Sequence, residues 1–145
     1  DDAVDRAALS RAVFSNDDSL RALEAISHPL INLELANQLE AIASETPDAV
    51  VVLDMAVLVE TGLGQLPNGA GYSTVVVVEA SPDLRLDRLG ARGVSPDDAQ
   101  ARIACQATDE EHRAVADYLL VNESSLVALA HQVEDLWREL PRLTS

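Results

Sequence analysis

Arg85, Arg88 and Arg92 stand at i, i+3 and i+7, a spacing that puts them on one face of a helix. Arg102 follows with Gln106 one turn later, and Arg113 lies on the next segment. A guanidinium fork matches phosphate oxygens two bonds at a time. Arginines brought over a phosphoryl group are a recurrent means of stabilising the charge of its transfer. Their other use is pairing with carboxylates on the surface, and spacing alone leaves both uses open. Asp54 closes an apolar run, Ala49 to Leu53. An acid at the carboxyl end of a strand either holds Mg²⁺ through water or caps the helix that follows. His28 precedes Pro29 at a helix junction, where the helix dipole is reason enough for a histidine. His28, His112 and His131 have no metal-ligand spacing. The glycines from Gly62 to Gly71 follow a predicted helix and end in no Lys-Ser/Thr, so they read as a surface loop.

The elements that must carry these groups alternate between strand and helix. Helices are predicted over Asp5–Phe14 and Asp18–Ser27, with a break at His28-Pro29 and a further helix to about Ser44. Thr46-Pro47-Asp48 reads as a turn. Ala49–Leu53 and Thr74–Ala80 read as strands buried on both faces, because their apolar residues run on without alternating. A short helix is predicted over Met55–Thr61 and a longer one over Pro82–Arg92, closed by a turn at Gly93-Val94. Ser95 with Pro96 opens a helix to about Ala107, and Thr108 opens the next with acids in its first turn. Tyr118–Val121 is a third strand, and Ser124 or Ser125 starts the last helix, in whose apolar stripe Trp137 reads as core. This order predicts an α/β fold on a parallel sheet. The helix pair from Ser95 to about Ala116 falls between two strands, the position of a lid.

The composition narrows the partners. The 145 residues hold ten basic side chains against 25 acids, a net charge of −15, and every basic residue is arginine. Such a field disfavours nucleic acid and anionic membranes as partners. With Cys105 as the one cysteine, no disulfide forms within the chain. No apolar run approaches the ~18 residues of a membrane span. A cytoplasmic protein is expected.

Taken in order, the motifs resemble those of dephospho-coenzyme A kinases. Val4-Asp5-Arg6 with Leu9 and Phe14, Leu23 to Ile26 followed by His28-Pro29-Leu30-Ile31, and the segment VVLDMAVLVETG from Val51 to Gly62 are similar to successive motifs of that family. So are Arg88-Leu89 with Arg92, Ala101-Arg102-Ile103 with Gln106, and Ala116-Asp117-Tyr118 with Asn122. The resemblance implies an α/β fold of the P-loop-kinase kind: a parallel sheet with flanking helices, a helical substrate region and a helical lid. It implies transfer of the γ-phosphate of ATP, with Mg²⁺, to the 3′-hydroxyl of dephospho-CoA. By position it makes Arg88 the catalytic lid-base arginine and puts Arg102, Gln106 and Asn122 at the nucleotide. His28, Asp54, Glu60 and Arg92 fall to the dephospho-CoA side. The whole chain is then a single partial kinase domain: residues 1–46 the helical substrate region, 47–92 core strands and helices, 93–116 the lid, and 117–145 the last core strand and helix. The family opens with a strand and a loop ending in Gly-Lys-Ser/Thr, and both are missing from these residues, which contain no lysine. The expectation is therefore a chain inactive by itself. Ala56 and Ser124 replace a proline and a glycine of the family pattern, which motivates an alternative: a degenerate relative that binds CoA or a nucleotide without catalysis.

Overall fold

A computed structural model describes residues 4–5, 8–9, 17–56, 58–61, 66 and 71–140. The predicted helix Asp5–Phe14 and the loop Gly62–Gly71 lie mostly outside the described residues. The chain divides into two compact units, residues 1–58 with 62–71, and residues 59–61 with 72–145.

In the first unit one helix, α1 (Asp17–Glu45), runs without interruption through Pro29. This corrects the predicted break. Proline removes one backbone donor at its own position. The segments on either side are each long enough to propagate, and a helix once nucleated continues at one bond per residue. Arg21 Nη2 donates to Asp18 Oδ1 at 2.6 Å and Gln38 Nε2 to Glu34 Oε1 at 2.7 Å along its surface. The predicted turn follows, with Ala49 N–H donating to the Thr46 carbonyl at 3.0 Å. Ala49–Leu53 is not a strand among the described residues, a second correction: Val50, Val51 and Val52 are 57, 40 and 81% exposed. An apolar β-branched run favours extended backbone, but only a neighbouring ladder makes it a strand.

The second unit holds residues 59–61 of α2 (Leu58–Thr61), a helix shorter than predicted, and β1 (Val76–Glu79) paired in parallel with β2 (Tyr118–Val121) in the register Val76 to Tyr118 and Glu79 to Val121. Val76 and Val78 are 38 and 57% exposed, so β1 is not buried on both faces as the run of four valines from Val75 to Val78 suggests. Between the strands lie α3 (Pro82–Ala91), α4 (Pro96–Ala104) and α5 (Asp109–Val115), and α6 (Leu126–Glu139) closes the unit. Local chemistry explains their ends. Past α3, Gly93 adopts φ +81°, its N–H bonds to the Gly90 carbonyl and that of Val94 to Leu89. This is the glycine-terminated helix end that a side chain with a Cβ adopts only under strain. Ser95 Oγ accepts from Asp98 N–H at 3.2 Å with Pro96 in the first turn of α4, which ends at Ala104, short of the predicted Ala107. Thr108 and Glu111 form a reciprocal capping box on α5, and Ser125 caps α6. Ala99 and Leu120 are buried in this unit, whereas Trp137, predicted as core, is 56% exposed.

Candidate functional site

In an open parallel sheet, ligands sit beyond the carboxyl ends of the strands. Here that edge is formed by the residues after Glu79 and Val121. The ladder continues one step past β2, with Asn122 N–H donating to the Glu79 carbonyl at 2.8 Å. Ser81 and Glu123 tie the two exits together: the Ser81 N–H and hydroxyl both donate to the Glu123 carboxylate, the hydroxyl at 3.1 Å. Ser81 is also the residue from which α3 starts. The helix that bears the arginines is therefore aimed by the strand ends themselves.

Arg88, half-buried on α3, reaches back over this edge. Its Nη2 donates to the Asn122 carbonyl at 2.9 Å and to Asn122 Oδ1 at 3.2 Å. Of the residues named from sequence, the structure brings these two into contact. Arg85, one turn earlier, is neutralised by Asp109 at 3.0 Å, and its Nε is buried without an acceptor among the described residues. Arg113 Nε donates to Glu79 Oε2 at 2.8 Å, and that carboxylate holds the guanidinium above its usual pKa. Arg21 and Arg138 pair with Asp18 and Asp135 on their own helices. Arg88, Arg92 and Arg102 are the arginines without a carboxylate partner among the described residues. Arg92 is exposed at the end of α3 and Arg102 exposed on α4, with Gln106 two residues past that helix. Glu79 and Asp109 escape a sequence reading, because their partners lie far along the chain.

His28 and Asp54 belong to the first unit. His28 is half-buried within α1, not at a helix end. Ile31, Leu35, Leu39 and Ile42 repeat at helical spacing on α1 and face a groove of about 420 Å³ with Val51 to Ala56. Asp54 and Gln38 are its polar members. Glu60 lies in α2, and its side chain is outside the described residues. Among the described residues no three His, Cys, Asp or Glu side chains gather as a metal site would require. No described helix is long and apolar enough to cross a membrane.

Residues 1–128 match the family model described as dephospho-CoA kinase. The chain is 43% identical over 141 residues to a dephospho-CoA kinase of Streptomyces avermitilis, spanning 97% of this chain and 65% of that relative. It is 46% identical over 136 residues to one of Mycobacterium leprae, spanning 93% of this chain and 31% of that relative. Among solved structures, one from Thermus thermophilus superposes with a TM-score of 0.71 at 34% identity, over 94% of this chain and 67% of its own. The dephospho-CoA kinase of Campylobacter jejuni gives a TM-score of 0.60 over 100% of this chain and 69% of its own, and at 22% identity that likeness speaks for the α/β P-loop-kinase fold alone. With its motifs in order, Arg88 at the carboxyl edge of a parallel sheet and these relatives, the chain belongs to the dephospho-CoA kinase family.

Proposed function

We propose that the protein is a cytoplasmic kinase that transfers the γ-phosphate of ATP to the 3′-hydroxyl of dephospho-CoA. One observation carries most weight. In a chain of net charge −15, Arg88 is held at the carboxyl edge of the sheet by neutral acceptors, so it keeps its positive charge where a phosphate would arrive. Its open N–H groups suit the charge that spreads over phosphoryl oxygens as the transferring group leaves one oxygen and meets the next. Phosphoryl transfer asks the protein mainly for such positioning and charge. Arg92, also without a carboxylate partner, is suited to a phosphate of dephospho-CoA, and Arg102, with Gln106 after it, to the nucleotide.

On the acceptor side, the reading gives His28, Glu60 and the groove bearing Asp54 to dephospho-CoA. A groove with aliphatic walls and one carboxylate suits a ligand with an apolar arm and hydroxyl groups. Mg²⁺ would enter with ATP and screen the phosphate charge. The lysine-bearing phosphate loop of such kinases is not among these residues, which contain no lysine. The 145 residues alone are therefore expected not to turn over.

The test is direct. The protein as produced from its gene is given ATP, Mg²⁺ and dephospho-CoA, and the product is read by mass spectrometry for an added phosphoryl group. CoA formation is the expected result. Tight binding of either ligand with no transfer would leave the non-catalytic relative as the reading instead. Turnover by the 145 residues alone would overturn the stated dependence on a further loop.

A further inference from the structure

Asn122 has two sides. Its N–H extends the parallel ladder onto the Glu79 carbonyl, which fixes its backbone against the last residue of β1. Its carbonyl and Oδ1 both accept from Arg88 Nη2, at 2.9 and 3.2 Å. Nη2 carries two hydrogens, so one residue supplies an acceptor for each. A planar fork gripped in this way at one nitrogen has little torsional freedom left. Nε and Nη1, which carry the other three of the five guanidinium hydrogens, make no hydrogen bond among the described residues.

The choice of partner matters as much as the geometry. Arg85 and Arg113 are held by carboxylates, Asp109 and Glu79, and their charge is cancelled locally. Aspartate at position 122 could make the same two contacts and would cancel the charge of Arg88. Asparagine orients the fork and leaves its charge intact.

We propose that Asn122 is a positioning residue that aims the Arg88 guanidinium, and that its contribution to phosphoryl transfer passes through Arg88 and not through contact with the nucleotide base. This inference rests on the kinase reading above.

The experiment is a double-mutant cycle in the protein as produced from its gene, with Arg88→Ala, Asn122→Ala and both together. Asn122→Ala should lower kcat about tenfold while the KM for ATP and the preference for ATP over GTP stay within about twofold. In the Arg88→Ala background it should cost nothing further, because the residue has lost the group it acts through. Asn122→Asp should keep the melting temperature and lower kcat at least as much as alanine does, since the carboxylate offsets the charge. Additive losses or an altered nucleotide preference would overturn the proposal and assign Asn122 to the base. Should Asn122→Ala fail to fold, Asn122→Ser serves in the same cycle. ATP affinity, measured in parallel by calorimetry on each variant, separates the two readings. Coupled losses of affinity without any turnover would retain the positioning role and remove the kinase assignment. Turnover with additive effects would do the reverse. Absence of both turnover and ATP binding would remove both.

Discussion

Gln132 grips Val121 by both ends of its side-chain amide: Nε2 donates to the Val121 carbonyl at 2.9 Å, and the Val121 N–H donates to Oε1 at 2.8 Å. The amide thus imitates a neighbouring strand at the last residue of β2 and occupies both of its outward backbone groups. Sheet edges left with free donors and acceptors invite pairing with other chains, and a side chain in this role blunts the edge.

Gln132→Ala removes both bonds. It should cost about 1 kcal/mol of stability, and amide hydrogen exchange at Val121 should accelerate selectively. Gln132→Glu keeps an acceptor for the Val121 N–H but loses the donor to its carbonyl, so it should fall between wild type and alanine. Unchanged exchange at Val121 in the alanine variant would show that the contact carries no weight.

Arg88→Lys should not restore what Arg88→Ala loses. A lysine ammonium is a point donor that cannot meet both Asn122 oxygens and still present a fork to phosphate. Either substitution should lower kcat by about 10²-fold, with the melting temperature little altered because Arg88 is only part-buried. A lysine variant with wild-type kcat would remove the fork geometry from the explanation.

Pro29 sits inside α1. Pro29→Ala restores the missing backbone bond and should stabilise this helix by about 1–3 kcal/mol, read as a higher denaturation midpoint. A fall in stability would mean that proline is favoured there by its surroundings.

Glu111 accepts from the Thr108 backbone N–H and, second, from its hydroxyl, and these bonds lower its pKa from 4.5. A carboxyl whose folded pKa lies below its unfolded one stabilises the fold at pH values above the unfolded pKa and loses that effect as pH falls through the folded one. The start of α5 should therefore loosen as pH drops below about 4.5. In Glu111→Gln this component of the pH dependence, followed by thermal melts from about pH 6 down to about pH 3, should be absent. An identical pH profile in wild type and variant would contradict it.

Much of the second unit was legible in the sequence because its signals act over a few residues. Thr108 with Glu111, Ser95 with Pro96, Ser125 and Gly93 all set helix ends through bonds to backbone three or four positions away. The run Tyr118–Val121 matched its strand to the residue, with Asp117 and Asn122 as polar stops. The spacing of Arg85, Arg88 and Arg92 correctly gave one helix with arginines along it.

Only the tertiary structure decided how those arginines divide. Asp109 lies 24 residues from Arg85, Asn122 lies 34 from Arg88 and Glu79 lies 34 from Arg113. No periodicity reaches that far, so which charge is cancelled and which stays open depends on the parallel pairing of β1 with β2. The same holds for Ala49–Leu53, whose residues favour extended backbone yet form no strand without a described neighbour, and for Trp137, whose helical stripe did not ensure its burial. Backbone preference and capping are written into neighbouring residues, whereas burial, ladder formation and charge pairing belong to whatever the fold brings alongside.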